Sequence, residues 1–145
     1  MEENLKNVDL ELFDKEKFTI NNDPNRVIEL DLSDTNVVVR LNEIYPKLVE
    51  LAQNVSINED SDMEEVAHFL KNTDLQMREY IDNIFDSKVC DACVPNGNMF
   101  DVKNGFFRFE IILEKLLALY NQNLDKELNK VKERVSKHTQ KYVGK

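Results

Sequence analysis

Apolar residues recur along this chain with two different periods, and the change of period divides it. Val27, Ile28, Leu30 and Leu32 alternate with Glu29, Asp31 and Ser33. A period of two predicts a half-buried strand. Just before it stands Asn21-Asn22-Asp23-Pro24-Asn25, a cluster of turn formers. Proline presets φ there, and the Asn and Asp side chains bond nearby amides. Upstream of the turn, Leu10, Leu12, Phe13, Phe18 and Ile20 alternate more loosely. The pattern predicts a hairpin of Phe18–Ile20 against Val27–Leu32.

After Ser33-Asp34-Thr35-Asn36, which offers several N-cap residues, the period becomes helical. Leu41, Ile44, Tyr45, Leu48, Ala52 and Val55 fall on one face. Pro46 sits inside this run, so the helix either kinks there or begins there as a shorter one. Asn58–Asp62 reads as a polar linker. Ser61-Asp62-Met63-Glu64 has the form of a capping box, and Met63, Val66, Ala67 and Leu70 then mark a short helix. Thr73-Asp74-Leu75-Gln76 repeats the cap pattern and predicts a fresh helix carrying Met77, Ile81, Ile84 and Phe85. Ser87–Gly105 reads as irregular, with a turn at Pro95-Asn96-Gly97-Asn98 and Asn104-Gly105 just before the last segment.

That last segment, Phe106 to Tyr142, predicts one long helix. Leu113, Leu117, Tyr120, Leu124, Leu128, Val131 and Val135 follow at steps of four, three, four, four, three and four. Leu113 to Leu124 to Val135 is two strides of eleven, about 3.67 residues per turn, so the stripe keeps to one helix face. A chain of 145 residues has little core to cover the far end of such a helix. The outer turns are therefore expected to meet a partner, and Leu117, Leu124, Leu128, Val131 and Val135 are the candidate partner-binding residues. The expected fold is mainly α, with a minor β part: an N-terminal hairpin, short helices, and a long amphipathic C-terminal helix. Residues 1–105 form the acidic hairpin and short-helix region and 106–145 the long helix with its basic tail, most simply as one domain.

Charge sharpens this picture. The net charge is −9, yet residues 126–145 carry seven Lys or Arg and two acids, or +5, which leaves −14 for residues 1–125. An acidic body repels phosphate and disfavours nonspecific nucleic-acid binding. The basic tail is compatible with RNA or an acidic surface. More simply, it solvates a helix C-terminus and complements its dipole. No apolar run reaches the roughly 18 residues of a membrane span, and the opening MEENLKNVDLELFD lacks the parts of a signal peptide. The expectation is a cytoplasmic protein with no membrane partner.

Candidate chemistry is sparse. Cys90-Asp91-Ala92-Cys93 has the C-x-x-C spacing of a redox pair or half a zinc site, but the chain holds no further cysteine. A redox pair of that type sits at a helix start after a buried strand, whereas this one follows the helical pattern of Leu75–Phe85. Two partly buried thiols are the simpler account. His68, near an expected core face, and His138, in the basic tail, stand alone. Glu65 and His68 make a single Glu-x-x-His, where a di-metal helical site needs two. Glu64-Glu65 and the Asp82/Asp86 pair read as polar helix faces. Asn58–Asp62 lacks the glycine and spaced glutamate of a calcium loop. Three glycines, at 97, 105 and 144, make no phosphate loop. Phe106, Phe107, Phe109 and Tyr120 read as an anchor docking the long helix and not as a base-stacking platform. No catalytic residue, cofactor or metal is expected, and no enzyme.

Three stretches carry a family resemblance. They are Val27-Ile28-Glu29-Leu30-Asp31-Leu32-Ser33-Asp34-Thr35-Asn36, running into Val39-Arg40-Leu41 and Ile44-Tyr45; Met77-Arg78-Glu79-Tyr80-Ile81-Asp82-Asn83-Ile84-Phe85; and Phe106-Phe107-Arg108-Phe109-Glu110 opening a Leu-rich helix. In order and spacing, over residues 26–120, the chain resembles small proteins from the tail modules of siphophages and prophages of Gram-positive bacteria, of the tail assembly chaperone class. Such sequences carry a glycine-containing turn after the Ile-Phe of the second stretch; here Asp86-Ser87-Lys88 stands in that place. The resemblance implies a non-enzymatic role in tail morphogenesis: binding the helical, aggregation-prone tape measure protein, recruiting tail tube subunits, and leaving the finished virion. A homo-oligomer is compatible with it. The alternatives are a structural virion component, such as a tail completion or connector protein, and a nucleic-acid-binding regulator acting through the basic tail.

Overall fold

The structure, a computed structural model, describes residues 3–10, 15–55 and 62–143, with side chains as far as Lys137. The fold is mainly α, with a two-stranded antiparallel hairpin near the N-terminus and a long C-terminal helix. Leu12, Phe13, the Asn58–Ser61 stretch and the His138 side chain lie outside the described residues.

Strand β1 (Glu16–Ile20) pairs antiparallel with β2 (Asp23–Leu30). The turn between them is tighter than its composition suggests. Asn21 and Asn22 alone make it, both at positive φ (54° and 58°). Asparagine tolerates the left-handed region, and two such residues twist a hairpin the way its strands twist. Pro24 then falls in an irregular stretch, where the register jumps from Thr19 opposite Val27 to Ile20 opposite Asp23. The alternation holds beyond it: Ile28 and Leu30 are buried, Val27 and Glu29 exposed.

Helix α1 (Asn36–Asn54) contains Pro46, which rules out the shorter helix starting at that residue. The turn before it is held by Asp34, whose carboxylate accepts from the Asn36 N–H (2.9 Å) and pairs with Arg40 (2.6 Å). Arg40 also donates to the carbonyl of Ile84 (2.8 Å), tying the start of α1 to the end of the next helix.

Helix α2 (Met63–Phe85) is continuous, where the sequence predicts two. The second cap signal is spent otherwise. Thr73 Oγ1 donates back to the carbonyls of Phe69 (2.9 Å) and Leu70 (3.2 Å). The Asp74 carboxylate accepts from Arg78 Nε (2.8 Å) and from the backbone N–H of Met99 (2.7 Å). Cap-type side chains compete with the helix only when they bond their own backbone outside it, and neither does here. At its start, Asp62 accepts from the Glu64 N–H (3.4 Å). At its end, Asp86 turns into the left-handed region (φ 50°), and the N–H of Ser87 reaches the carbonyl of Asp82 (3.1 Å), a Schellman-type stop.

The stretch read as irregular holds a short helix, α3 (Cys90–Cys93), and a second hairpin of β3 (Val102–Lys103) and β4 (Phe106–Phe107). Helix α4 (Arg108–Val143) follows directly. It starts two residues later than the expected Phe106, because Phe106 and Phe107 are taken by the hairpin. Glu110 accepts from the Phe107 N–H (2.8 Å), the carboxylate half of a capping box.

One core draws on both sides of Gly105. Ile28 and Leu30 of β2, Leu48 of α1 and Met77, Ile81 and Ile84 of α2 are fully buried, with Val89, Cys90, Val94 and Met99 from the connecting stretch. Phe109, Leu113, Leu116 and Tyr120 close it from α4. Phe100, Phe107 and Phe109 form an aromatic cluster with ring centroids 5.5–5.7 Å apart. Phe107, Phe109 and Tyr120 thus anchor the helix as expected, while Phe106 faces outward at 54% exposure.

Candidate functional site

The two ends of α4 live in different surroundings. Over its first turns the stripe is core: Leu113 and Tyr120 are 7% exposed, and Leu117 packs partly buried against the same cluster. Asn123 makes the last described bond to the body, donating from Nδ2 to the carbonyl of Leu32 (3.1 Å). From Leu124 to Lys137 every residue is exposed. Leu124, Leu128, Val131 and Val135 stand at 39%, 43%, 40% and 50%. Four aliphatic side chains on one face of a helix that has left its body form an uncovered seam, and covering each would gain about 1 kcal/mol. Of the five candidate residues, Leu117 therefore belongs mostly to the fold, and the other four form the surface.

Charge flanks the seam unevenly. Asp125 and Glu127 border its inner half, Lys132 and Arg134 its outer half. Within the helix, Lys130 pairs with Glu127 (3.4 Å, both more than half exposed), a contact worth little by itself.

Two grooves adjoin the inner half of α4. One, of about 590 Å³, runs between α1 and α4, with Tyr45, Leu48, Leu113 and Leu117 among its walls. The other, of about 750 Å³, lies between the two hairpin turns and the first turns of α4, with an apolar floor of Ile20, Val102, Phe106 and Ile112 and the basic side chains of Lys103, Arg108 and Lys115. Arg108 is engaged by Asp101 (3.1 Å).

The residues singled out for chemistry have structural surroundings. Both cysteines are free; Cys90 is buried and Cys93 partly so. Cys90 does open a short helix, which ends at Cys93, but that helix follows a helix and not a strand. Burial pushes the Cys90 thiol well above its ordinary range, and the neighbouring Asp82 carboxylate pushes the same way. Burial raises Cys93 too, with Arg26 opposing and Asp82 adding. A reactive thiol needs the opposite shift. Asp82 is occupied in capping α3, accepting from the N–H of Val89 and of Cys90 at 3.0 Å each. Arg26 clamps the other end of α3, donating to the carbonyls of Ala92 (2.8 Å) and Cys93 (2.9 Å).

Arg78 is the most heavily used polar side chain, and sequence reasoning passed it over. It donates to Asp74 (2.8 Å), to Asp91 (3.1 Å) and to the carbonyl of Gly97 (3.0 Å). Burial by itself would lower its pKa, but the bonds and charges of Asp74 and Asp91 raise it overall. The spacing of Asp74 and Arg78 is an i, i+4 ion pair and was visible in the chain. Its reach to Gly97 was not.

His68 is exposed, contrary to the core-face reading, and its Nε2 lies 3.1 Å from Asn72 Nδ2. Ala67 beside it is exposed as well, and Met63 is 85% exposed. The first turns of α2 thus bury little. Among the described residues no three His, Cys, Asp or Glu side chains gather as a metal site would require, and no helix is long and apolar enough to cross a membrane. Comparison of the chain with protein-family models, with curated protein sequences and with solved structures finds no significant match.

Proposed function

We propose that this protein works by protein–protein interaction in phage or prophage tail morphogenesis, as a tail assembly chaperone engaging the tape measure protein, and that it is not an enzyme. The tail assignment rests on the resemblance of residues 26–120 to that class. The mode of action rests on the uncovered seam of Leu124, Leu128, Val131 and Val135 beyond the last tie of α4 to the body. A helical client presents apolar stripes, and a projecting amphipathic helix is a natural partner for one. The −14 body would keep such a complex dispersed.

Co-expression with a tape measure fragment tests the reading. The client should co-purify and stay soluble with the native chain, and should be lost or precipitate with Leu128→Glu and Val135→Glu. Unchanged client solubility with both variants overturns it. The rival, a tail completion or connector protein, requires the chain to remain in purified particles, where a chaperone is absent.

A further inference from the structure

We propose that the free half of α4 pairs antiparallel with the same segment of a second copy of this chain, with Leu128 facing the partner's Val131 and Leu124 facing the partner's Val135. This rests on the reading of the seam as a partner surface and names a second copy as its occupant in the free protein, which a client helix would displace.

The spacing of Leu124, Leu128, Val131 and Val135, four, three and four, fits the d, a, d, a positions of a heptad. In an antiparallel pair each a residue faces a d residue. The four side chains then form four layers that read the same from either helix, as a two-fold axis requires.

The flanking charges choose the orientation. Asp125 and Lys132 both fall at e, and Glu127 and Arg134 both fall at g. Antiparallel pairing sets e beside e and g beside g. Asp125 then lies beside the partner's Lys132, and Glu127 beside the partner's Arg134. Symmetry doubles these to four contacts of opposite charge, with none of like charge. A parallel pair matches only Glu127 with the partner's Lys132 and leaves Asp125 and Arg134 without an opposite charge. The wider distribution agrees: an antiparallel partner brings its +5 tail towards the −14 body of the other copy.

The whole seam lies beyond Asn123 and runs about 17 Å from Leu124 to Val135 at 1.5 Å per residue. The pairing centre falls between Leu128 and Val131, so the two bodies sit at opposite ends of the seam.

The test is solution mass by light scattering at about 100 μM protein, a concentration that populates a pair of micromolar affinity. The native chain should be a dimer that weakens as salt rises. D125K/E127K and K132E/R134E should each weaken self-association about tenfold or more through four like-charge contacts. Mixing these two variants, or combining all four changes in one chain, should restore it. Orientation is read by oxidation in a Cys93→Ser background. Leu124→Cys mixed with Val135→Cys should give a mixed disulfide, whereas either variant alone should not cross-link. Circular dichroism checks that every variant keeps its helix.

A native chain that is monomeric at this concentration overturns self-pairing. So does cross-linking of the Leu124→Cys variant with itself and of the Val135→Cys variant with itself. Neither result touches the client reading, which stands or falls on the tape measure co-purification.

Discussion

Asn123 donates its side-chain N–H to the carbonyl of Leu32, 3.1 Å away and 91 residues back along the chain. This bond marks the point where α4 stops being part of the core and becomes a projecting helix. Residues of one stripe on either side of it should respond to substitution in different ways. Leu113→Ala, at 7% exposure, should cost about 2–5 kcal/mol of stability by opening a cavity. Leu128→Glu and Val135→Glu should change stability by less than about 0.5 kcal/mol, because both side chains already meet water. Urea denaturation at low protein concentration separates the two cases. A large loss at Leu128 would mean that the outer half packs against the body.

Arg78 should be irreplaceable as a fork. Its side chain is 14% exposed and joins α2 to Asp91 and to the carbonyl of Gly97. Arg78→Met leaves the Asp74 carboxylate and the Gly97 carbonyl short of a donor and should cost about 2 kcal/mol or more. Arg78→Lys keeps the charge but cannot reach three partners from one planar group, so it should recover only part of the loss. Equal stability of the Lys variant and the native chain in urea would show that charge alone matters.

Alkaline pH should loosen the fold through Tyr120. Burial pushes its phenol up to about 12, and the carboxylates of Asp34 and Asp31 add to the shift. An unfolded tyrosine titrates near about 10. Between those values the unfolded chain has released the proton and the folded chain still holds it. The contribution is therefore complete below about pH 10 and is lost as pH rises towards 12. Tyr120→Phe should flatten this part of a plot of Tm against pH. At neutral pH the same variant should be more stable by about 1 kcal/mol, since the hydroxyl is buried without a partner among the described residues. The raised Cys90 thiol has the same sign and acts from the ordinary thiol range upward.

Gly105 should matter for its backbone and not for space. Its φ is +82°, and a Cβ built there meets nothing within 4 Å. With Asn104 at φ 55° it forms the two-residue turn between β3 and β4. Gly105→Ala should cost about 1 kcal/mol from the left-handed conformation alone, and Gly105→Asn should cost less. Thermal unfolding of the two variants ranks them; equal values would mean that the turn relaxes.

Much of the fold is legible because its signals are short-range. The alternation of Ile28 and Leu30 with Glu29 marks a strand within six residues, and the 3–4 spacing of Met77, Ile81 and Ile84 marks a helix face. The second hairpin was equally legible and was passed over: Asn104-Gly105 between Val102-Lys103 and Phe106-Phe107 is a strong two-residue turn signal. The split of α2 at Thr73-Asp74 was a misreading of a different kind. Its cap residues are real, but Asp74 is claimed by the N–H of Met99, 25 residues on.

The sequence by itself determined the long stripe, the charge gradient across α4 and the periods of its elements, because these depend on residues within a few turns of one another. Only the tertiary structure decided where that stripe changes from core to surface. The reason is that a leucine every third or fourth position reads alike at Leu113 and at Leu128. What separates them is whether other elements pack against that turn. The bond from Asn123 to Leu32, made across most of the chain, marks where they cease to do so.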